Sequence, residues 1–292
     1  RFAFELLPPL KGDGMEGIAA TIDRLLPYDP AYINVTFHRE VLKEVRRADG
    51  TVDRHIVRRR PGTVGIATAI RERYGVEVVP HLICGGHSRS DIEDALIDLD
   101  FLGLHNVLAL RGDAFTGEKH FKAHPEGYAH AVDMVRQIAA MNRGEFIDGE
   151  VELTHRSAFT IGVAGYPEKH EEAMNLDSDI EHLKAKIEAG AEYVVTQMFF
   201  DNGRYFDFVK RCRAAGITVP IIPGIKPLTS LTQQSLLPKT FHIDLPEDLA
   251  REFRRCKSND DVKALGVEWG IAQARELKAA NVASIHFYSM NA

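Results

Sequence analysis

Short apolar segments alternate with longer amphipathic segments along most of the chain. The apolar segments are rich in Val, Ile and Phe and are apolar at most positions, which is typical of parallel strands covered on both faces. This pattern predicts strands at Phe2–Leu7, Tyr32–Phe37, Glu77–Ile83, Asn106–Arg111, Ala158–Ala164, Tyr193–Phe199, Val219–Ile225 and Ala283–Ser289.

Several of the segments between these strands have the composition and length of helices. Ser88 or Ser90 is a candidate N-terminal cap for one of them, and Gly75 and Gly216 follow two others, as glycine often does at a helix C-terminus. The pattern predicts helices at Thr63–Tyr74, Ser90–Leu102, Gly127–Asn142, Ser178–Ala189, Tyr205–Ala215 and Asp261–Ala280.

This alternation of strands and helices favours an α/β fold, built as a closed (β/α)₈ TIM barrel. A doubly wound open sheet alternates in the same way, so periodicity alone leaves both possibilities open. No linker or low-complexity stretch interrupts the sequence, so we expect a single domain over residues 1–292. The charged stretches Arg39–Arg60 and Arg143–Ser157 are expected to be insertions, the first a long loop or hairpin.

Composition excludes several classes of protein. The 292 residues are 45% hydrophobic and 27% charged with a formal net charge of −6, so overall charge does not favour nucleic acid or anionic membranes as partners. No apolar run approaches the length of a membrane span. The three cysteines are widely spaced without a CxxC pair, which favours a reducing, cytoplasmic location. No HExxH, GxGxxG or P-loop motif occurs, so we expect no metal site and no Rossmann or P-loop nucleotide site.

Polar residues fall at the carboxyl ends of the predicted strands, where barrel enzymes build their active sites. A purely structural barrel would gain nothing from so many polar groups at one rim, because each needs a partner or water. Any one of them, taken alone, can equally be a hydrogen-bonded rim residue. The residues concerned are Glu5, Thr36, His81, Arg111, Asp113, Tyr166, Gln197 and Tyr288.

Glu5 is the candidate acid, because it stands between Phe4 and Leu6 in an apolar strand. We expect burial to raise the pKa of its carboxyl, which suits a general acid near neutral pH. A salt-bridged structural glutamate is the alternative. Gln197, at another strand end, could bind an amide-rich ring without adding charge, or it could simply cap the core.

Two further features could bind a polar ligand. In Arg111-Gly112-Asp113, glycine lets a flat ligand approach the backbone, arginine can meet a phosphate or ring carbonyl, and aspartate can accept hydrogen bonds. A predicted helix carries Asp179, His182 and Lys186 at i, i+3 and i+7 on one face. That face could meet a ribose and a pyrophosphate, or it could be ordinary solvated surface.

Eight short segments occur in an order that resembles the methylenetetrahydrofolate reductase family over nearly the whole chain. They are FELLPP from Phe4, NVTF from Asn34, VPHL from Val79, ALRGD from Ala109, GYPEKH from Gly165, VTQMFFD from Val195, IPGI from Ile222 and HFY from His286. The resemblance implies a (β/α)₈ barrel with FAD at the C-terminal rim and a homo-oligomeric assembly. It also implies a ping-pong reaction in which NAD(P)H reduces the flavin and 5,10-methylenetetrahydrofolate is then reduced to 5-methyltetrahydrofolate.

The resemblance also implies roles for individual residues. Glu5 matches the acid that helps to protonate the bridging nitrogen, so that the five-membered ring opens to an iminium. Asp113 matches an aspartate that helps to bind the folate and tune the flavin, Gln197 and Gln233 match substrate contacts, and Thr36 matches a nicotinamide contact. The positions that match FAD contacts are Thr36, His81, Arg111, Gly112, Asp113, Tyr128, Ala129, Tyr166, His170, Asp179, His182 and Lys186.

The chain departs from the family pattern at a few positions. Phe37 stands where tyrosine is frequent, and Leu237 stands where an aromatic residue often packs on the ligands. His182 and Ala185 stand where bacterial relatives often carry asparagine and arginine. Ala292 lies where a folate-contacting arginine is often found.

Two other functions remain open at this level. A flavin-free barrel aldolase or lyase acting on a phosphorylated substrate would need a Schiff-base lysine, for which Lys226 is the candidate. A barrel reused as a binding or assembly subunit would tolerate free replacement of the rim residues. Replacement of Glu5 and the colour of the purified protein distinguish these alternatives from a flavoenzyme.

Overall fold

Short buried strands form the centre of the fold. The structure, a computed structural model, describes residues 1–47, 49–114, 118, 120–150 and 156–289. Among these residues the strands are β1 (Phe2–Leu6), β2 (Tyr32–Val35), β3 (Val41–Arg46), β4 (Val52–Val57), β5 (Val78–Ile83), β6 (Asn106–Leu110), β7 (Glu145–Phe146), β8 (Gly149–Glu150), β9 (Thr160–Gly165), β10 (Tyr193–Met198), β11 (Ile221–Ile225) and β12 (Ile285–Phe287).

Eight of these strands pair in the order β1, β12, β11, β10, β9, β6, β5, β2 and close into a barrel. Each predicted strand corresponds to one barrel strand, and the predicted (β/α)₈ TIM barrel is therefore confirmed. The open, doubly wound sheet is excluded.

Helices connect the barrel strands. In the part of the chain that the structure describes, they are α1 (Glu16–Leu25), α2 (Thr63–Tyr74), α3 (Arg89–Phe101), α4 (Ala131–Arg143), α5 (Leu176–Glu188), α6 (Asn202–Ala214), α7 (Gln233–Phe241), α8 (Glu247–Phe253) and α9 (Asn259–Ala279). All six predicted helices are present, most with ends shifted by a few residues.

Local chemistry explains where several helices begin and end. Ser88 caps α3: its hydroxyl accepts a hydrogen bond from the Asp91 amide at 3.1 Å, and the Asp91 carboxylate accepts one from the Ser88 amide at 2.8 Å. Gly75 ends α2 in the left-handed conformation with φ 63°, as predicted. The start of α4 was predicted too early. A Cβ at Gly127 would lie 2.2 Å from the main-chain oxygen of His87, so the backbone packs closely there in a loop.

Three helices were not predicted. Gly12 and Gly14 precede α1 and Gly17 lies in its first turn, which lowers helix propensity, although Ile18 and Ile22 bury one face of the helix. The other two, α7 and α8, are short, and α7 contains a proline. The amphipathic pattern of α7 and of α8 is therefore too short to identify either helix from the sequence.

The described chain divides into two compact units, so the expectation of a single domain stays a prediction. Unit 1 comprises residues 1–5, 28–32 and 162–292, and unit 2 comprises residues 6–27 and 33–161. Unit 1 has a hydrophobic core between α7, α8, α9 and neighbouring segments. Its buried members are Met198, Phe200, Leu228, Leu237, Ile243, Leu249, Phe253 and Val262.

The predicted insertions belong to unit 2. Within Arg39–Arg60, β3 and β4 form an antiparallel hairpin in which Val41 pairs with Val57 and Arg46 with Val52, so the hairpin prediction is confirmed. Within Arg143–Ser157, β7 and β8 form a second, shorter hairpin. Residues 151–155 of that stretch, and the expected folate contact near Ala292, lie outside the described residues.

Candidate active site

Glu5 is buried near the carboxyl end of β1 in unit 1. The Nε2 atom of His286 on β12 lies 3.7 Å from Oε2 of Glu5, and the two side chains are 1% and 7% exposed respectively. The carboxyl group has lost most of its water and has the imidazole as a polar neighbour. The structure thus places Glu5 in the buried setting expected of a general acid, and its action as an acid stays a prediction.

The end of β12 is tied to both neighbouring strands by side-chain hydrogen bonds. The Ser289 hydroxyl donates to the main-chain oxygen of Glu5 at 2.6 Å, and the Lys226 ammonium donates to the main-chain oxygen of Tyr288 at 3.2 Å. Burial lowers the pKa of Lys226, while the nearby Glu5 carboxylate acts in the opposite direction. Lys226 therefore belongs to the immediate surroundings of the candidate acid.

Tyr288 packs tightly against the neighbouring strands. Its hydroxyl donates to the main-chain oxygen of Thr196 at 2.7 Å. A Cβ on Gly224 would lie 2.4 Å from that oxygen and 2.5 Å from the Tyr288 ring, so the packing requires glycine. Burial, and then the nearby Glu5, hold the pKa of Tyr288 well above its usual value, so the phenol stays neutral and a hydrogen-bond donor.

The two glutamines assigned to the substrate both make local hydrogen bonds. Oε1 of the half-buried Gln197 accepts from the Met198 amide at 2.9 Å. Oε1 of Gln233 accepts from the Thr229 amide at 2.7 Å, and its Nε2 donates to the Thr229 hydroxyl at 3.2 Å. Gln233 therefore stabilises the loop before α7, and the substrate contacts of both glutamines stay predictions.

Helix α5 carries Asp179, His182 and Lys186, as predicted. Oδ2 of Asp179 accepts from the His170 amide at 2.8 Å, and Lys186 donates to the main-chain oxygen of Ala164 at 2.7 Å. Burial lowers the pKa of Lys186 to about 8, and Asp179 acts in the opposite direction. Asp179 thus holds the loop after β9 in place and Lys186 is bonded to β9 itself, whereas the side chain of His182 is exposed.

The loop after β9 also contains two of the predicted FAD contacts, Tyr166 and His170. Their rings meet edge to face with centroids 4.8 Å apart and an interplanar angle of 83°. Both side chains are half-buried. This arrangement fixes the position of one ring relative to the other.

In unit 2, the neighbouring strands β2 and β5, and Thr36 just after β2, carry buried polar side chains. Nε2 of His81 on β5 lies 3.3 Å from Oδ1 of Asn34 on β2, within hydrogen-bonding distance. The Thr36 hydroxyl donates to the main-chain oxygen of Leu6 at 3.2 Å and lies 3.0 Å from Nε2 of His38. Of the predicted residues, His81 and Thr36 are therefore both buried and hydrogen-bonded.

The Arg111-Gly112-Asp113 segment, which follows β6, has an unusual backbone conformation. Gly112 has φ +83°, and a Cβ there would lie 3.2 Å from Ile83, so glycine is favoured on both counts. The Arg111 guanidinium lies 4.7 Å from the centre of the Phe121 ring. Asp113 has an exposed side chain, and its main-chain oxygen accepts a hydrogen bond from Arg39 at 2.7 Å.

Two predicted FAD contacts lie in the loop before α4. The Tyr128 ring is half-buried, with the Arg89 guanidinium 5.4 Å from its centre, and Ala129 is exposed. The loop begins where the early start of α4 was predicted, so these residues are not helical. Their part in cofactor binding stays a prediction.

Sequence reasoning did not identify three neighbours of the candidate residues. His286 lies beside Glu5, Lys226 is near enough for the charge of Glu5 to act on it, and the Arg39 side chain donates a hydrogen bond to the main-chain oxygen of Asp113. His286 had a visible signal, because it is a polar residue between Ile285 and Phe287 in a predicted strand. No signal in the sequence pairs Lys226 with Glu5 or Arg39 with Asp113, because each pair is distant along the chain.

A metal cluster and a membrane-spanning helix are both absent from the part of the chain that the structure describes. No group of three or more His, Cys, Asp and Glu side chains in that part is placed to hold a metal ion. None of the helices within the described ranges is both long enough and apolar enough to cross a bilayer.

Comparison with known proteins shows the family. The family model described as methylenetetrahydrofolate reductase matches residues 1–292. The chain is 31% identical to methylenetetrahydrofolate reductase (NADH) 1 of Arabidopsis thaliana, with 99% of the chain and 46% of that protein covered. It therefore spans about half the length of such plant relatives. It is 30% identical to 5,10-methylenetetrahydrofolate reductase of Salmonella typhimurium, with 99% of the chain and 86% of that protein covered.

A solved structure shows the same fold. An uncharacterized protein from Clostridium thermocellum, described as binding two copies of 5-methyl-5,6,7,8-tetrahydrofolic acid, superposes with a TM-score of 0.55 at 14% identity, covering 99% of this chain and 88% of that one. At this identity the similarity supports the barrel alone. The sequence matches are the stronger result, since they extend along the whole barrel: the chain belongs to the methylenetetrahydrofolate reductase family.

Proposed function

We propose that this chain reduces 5,10-methylenetetrahydrofolate to 5-methyltetrahydrofolate, with FAD as the bound cofactor and NAD(P)H as the hydride donor. The observation that carries the proposal is the burial of Glu5 beside His286 in a chain of this family. A relative named as an NADH-dependent reductase supports a nicotinamide donor. Relatives named as methylenetetrahydrofolate reductases support a folate substrate.

The residues that match FAD contacts have side chains of the types that this cofactor needs. Lys186 offers a cation for phosphate, Asp179 a carboxylate for a hydroxyl, and Gly112 a position where no side chain blocks the approach of a ring. In unit 2, Thr36 and His81 add neutral hydrogen-bonding groups. When bound, FAD would supply the hydride-transfer chemistry, which no side chain provides.

Glu5 would act first on the folate. Its carboxyl donates a proton to the bridging nitrogen, the bond from that nitrogen to the methylene carbon breaks, and an iminium carbon forms that can accept hydride. Glu5 is left as a carboxylate and regains its proton from water. Asp113 and Gln197 would hold the pterin by accepting and donating hydrogen bonds, so that this carbon is correctly placed.

The aldolase or lyase alternative draws on one observation. Lys226 is buried and burial lowers its pKa, as a Schiff-base lysine requires. Its ammonium, however, donates to the main-chain oxygen of Tyr288. Borohydride trapping distinguishes the two functions, since only a Schiff-base enzyme incubated with its carbonyl substrate becomes covalently modified at Lys226.

The proposed function is tested by anaerobic mixing of the purified protein. We expect a yellow protein whose flavin absorbance is bleached by NADH or NADPH and recovers when methylenetetrahydrofolate is added. Mass spectrometry should then identify 5-methyltetrahydrofolate. A colourless protein that gains no flavin when FAD is supplied, or a bleached flavin that the folate does not reoxidise, would overturn the proposal.

The same preparation tests the oligomeric state. We propose a homo-oligomer in the cytoplasm, as the family resemblance and the cysteine pattern imply. Light scattering on the eluate of a size-exclusion column should give a mass that is a multiple of 32.6 kDa. A mass of one chain would contradict the oligomer.

A further inference from the structure

The strand register brings a lysine to the level of the candidate acid. β12 lies between β1 and β11 in the barrel. Phe287 of β12 pairs with Phe4 on one side and with Ile225 on the other. The next residue along each of these three strands is Glu5, Tyr288 and Lys226 respectively. Side chains at paired positions of neighbouring parallel strands point to the same face of the sheet.

Lys226 is buried, which is unusual for a lysine. Only 9% of the residue is exposed, and its Nζ donates to the main-chain oxygen of Tyr288 at 3.2 Å. An ammonium away from water is costly unless negative charge compensates it. Glu5 provides that charge, because its carboxylate favours the protonated form of Lys226. The attraction is mutual, so Lys226 must favour the ionised form of Glu5 to a corresponding degree.

We propose that Lys226 is a positioning residue for Glu5, whose ammonium stabilises the carboxylate that remains after Glu5 has given up its proton. Burial alone would make that carboxylate expensive to form, and the acid would hold its proton too tightly. A cation held at the end of the next-but-one strand, β11, offsets this cost. The catalytic consequence rests on the proposed function, whereas the electrostatic pairing does not.

Two further titratable groups adjoin Glu5, one on β12 and one directly after it. His286 approaches the Glu5 carboxyl to 3.7 Å. Tyr288 stays neutral because burial and Glu5 hold its pKa well above the usual value, with smaller effects from Tyr166 and Tyr32. The test must therefore leave His286 and Tyr288 intact and change only the charge at position 226.

The direct test is a titration of Glu5 in the flavin-loaded protein by ¹³C NMR with labelled glutamate side chains. The signal is assigned by its loss in Glu5→Gln. In Lys226→Met we expect the Glu5 midpoint to rise by about 1 pH unit, since the loss of a nearby positive charge in a partly desolvated site disfavours the carboxylate. Lys226→Arg, which keeps the charge, should stay near the wild type. Lys210→Met, which removes an exposed charge on α6, should match the wild type.

An unchanged Glu5 midpoint in Lys226→Met would overturn the proposal, as would Lys226→Arg behaving like Lys226→Met. If Lys226→Met does not fold, judged by circular dichroism, Lys226→Gln replaces it with the same expected shift. The pH profile of the folate half-reaction provides the second readout, and its falling limb should move to higher pH in Lys226→Met. A wild type that never reduces folate would refute the proposed function but leave the NMR result standing, so the two failures are distinguishable.

Discussion

His286 and Glu5 are buried together, with Nε2 of His286 3.7 Å from Oε2 of Glu5. The pair arises from the register of two parallel strands, in which His286 of β12 lies opposite Ala3 of β1, two residues before Glu5. The imidazole is therefore a polar neighbour of the Glu5 carboxyl in a place that is largely closed to water.

Replacement of His286 should impair the folate step more than the flavin-reduction step. In His286→Phe, a ring of similar size fills the space, but the polar neighbour of Glu5 is lost. We expect the rate of flavin reoxidation by methylenetetrahydrofolate to fall by about 10²-fold, the cost of a misplaced catalytic group. Stopped-flow measurement of both half-reactions provides the comparison. His55→Phe, at an exposed hairpin position, is the control and should leave both rates unchanged.

Gly112→Ala should destabilise the fold. The backbone at Gly112 has φ +83°, which costs a residue with a Cβ about 1–2 kcal/mol, and the added methyl would meet Ile83 at 3.2 Å. Urea unfolding should show a loss of free energy of unfolding of about this size. Gly17→Ala in α1, where a Cβ meets no atom within 4 Å, should instead be neutral or stabilise by up to about 1 kcal/mol. Equal effects of the two substitutions would contradict this account.

Glu168 should make stability depend on pH. Burial raises the pKa of Glu168 from 4.5 to about 7, although the Asp244 amide donates to its carboxyl at 2.8 Å. Between pH 4.5 and 7 the folded protein keeps a proton that the unfolded chain releases, so this carboxyl lowers stability as pH rises. Below that window the penalty disappears.

Glu168→Gln keeps an oxygen for the Asp244 amide but cannot ionise. Relative to the wild type, this variant should gain stability as pH rises from 4.5 to 7, which urea unfolding across the window will measure. Glu192→Gln removes an exposed carboxylate and serves as the control. A stability difference between Glu168→Gln and the wild type that does not vary with pH would show that the pKa of Glu168 is ordinary.

The barrel could be predicted because its strands are buried on both faces. Segments such as Val78–Ile83 are therefore apolar at almost every position and stand out from the helices. The short helices α7 and α8 could not be predicted. Their stability comes from packing of Leu237, Leu249 and Phe253 into the core of unit 1, a tertiary effect that local propensity does not contain.

The candidate acid could also be predicted, because one carboxyl within an apolar strand is visible in the sequence. Its partners could not be, since the pairing of Glu5 with His286 and Lys226 depends on strand order and register. At Gln233 the sequence predicted a role that differs from the contacts seen in the structure. The family pattern implies a substrate contact there, whereas the structure shows hydrogen bonds to Thr229 that a sequence does not reveal.

The central claim is that Glu5 supplies the proton that opens the folate ring. Glu5→Gln should still bind FAD and should still be reduced by NAD(P)H at close to the wild-type rate, because the hydride reaches the flavin without an acid. Reoxidation of its flavin by methylenetetrahydrofolate should be slower by about 10²–10⁴-fold, the usual contribution of general acid catalysis. Glu192→Gln, which removes an exposed carboxylate, should reoxidise normally.

Anaerobic double-mixing stopped-flow measures this step directly, by first bleaching the flavin and then adding the folate. The account predicts normal bleaching and almost no recovery of flavin absorbance in Glu5→Gln within the time that suffices for the wild type. Recovery of Glu5→Gln at the wild-type rate would contradict it.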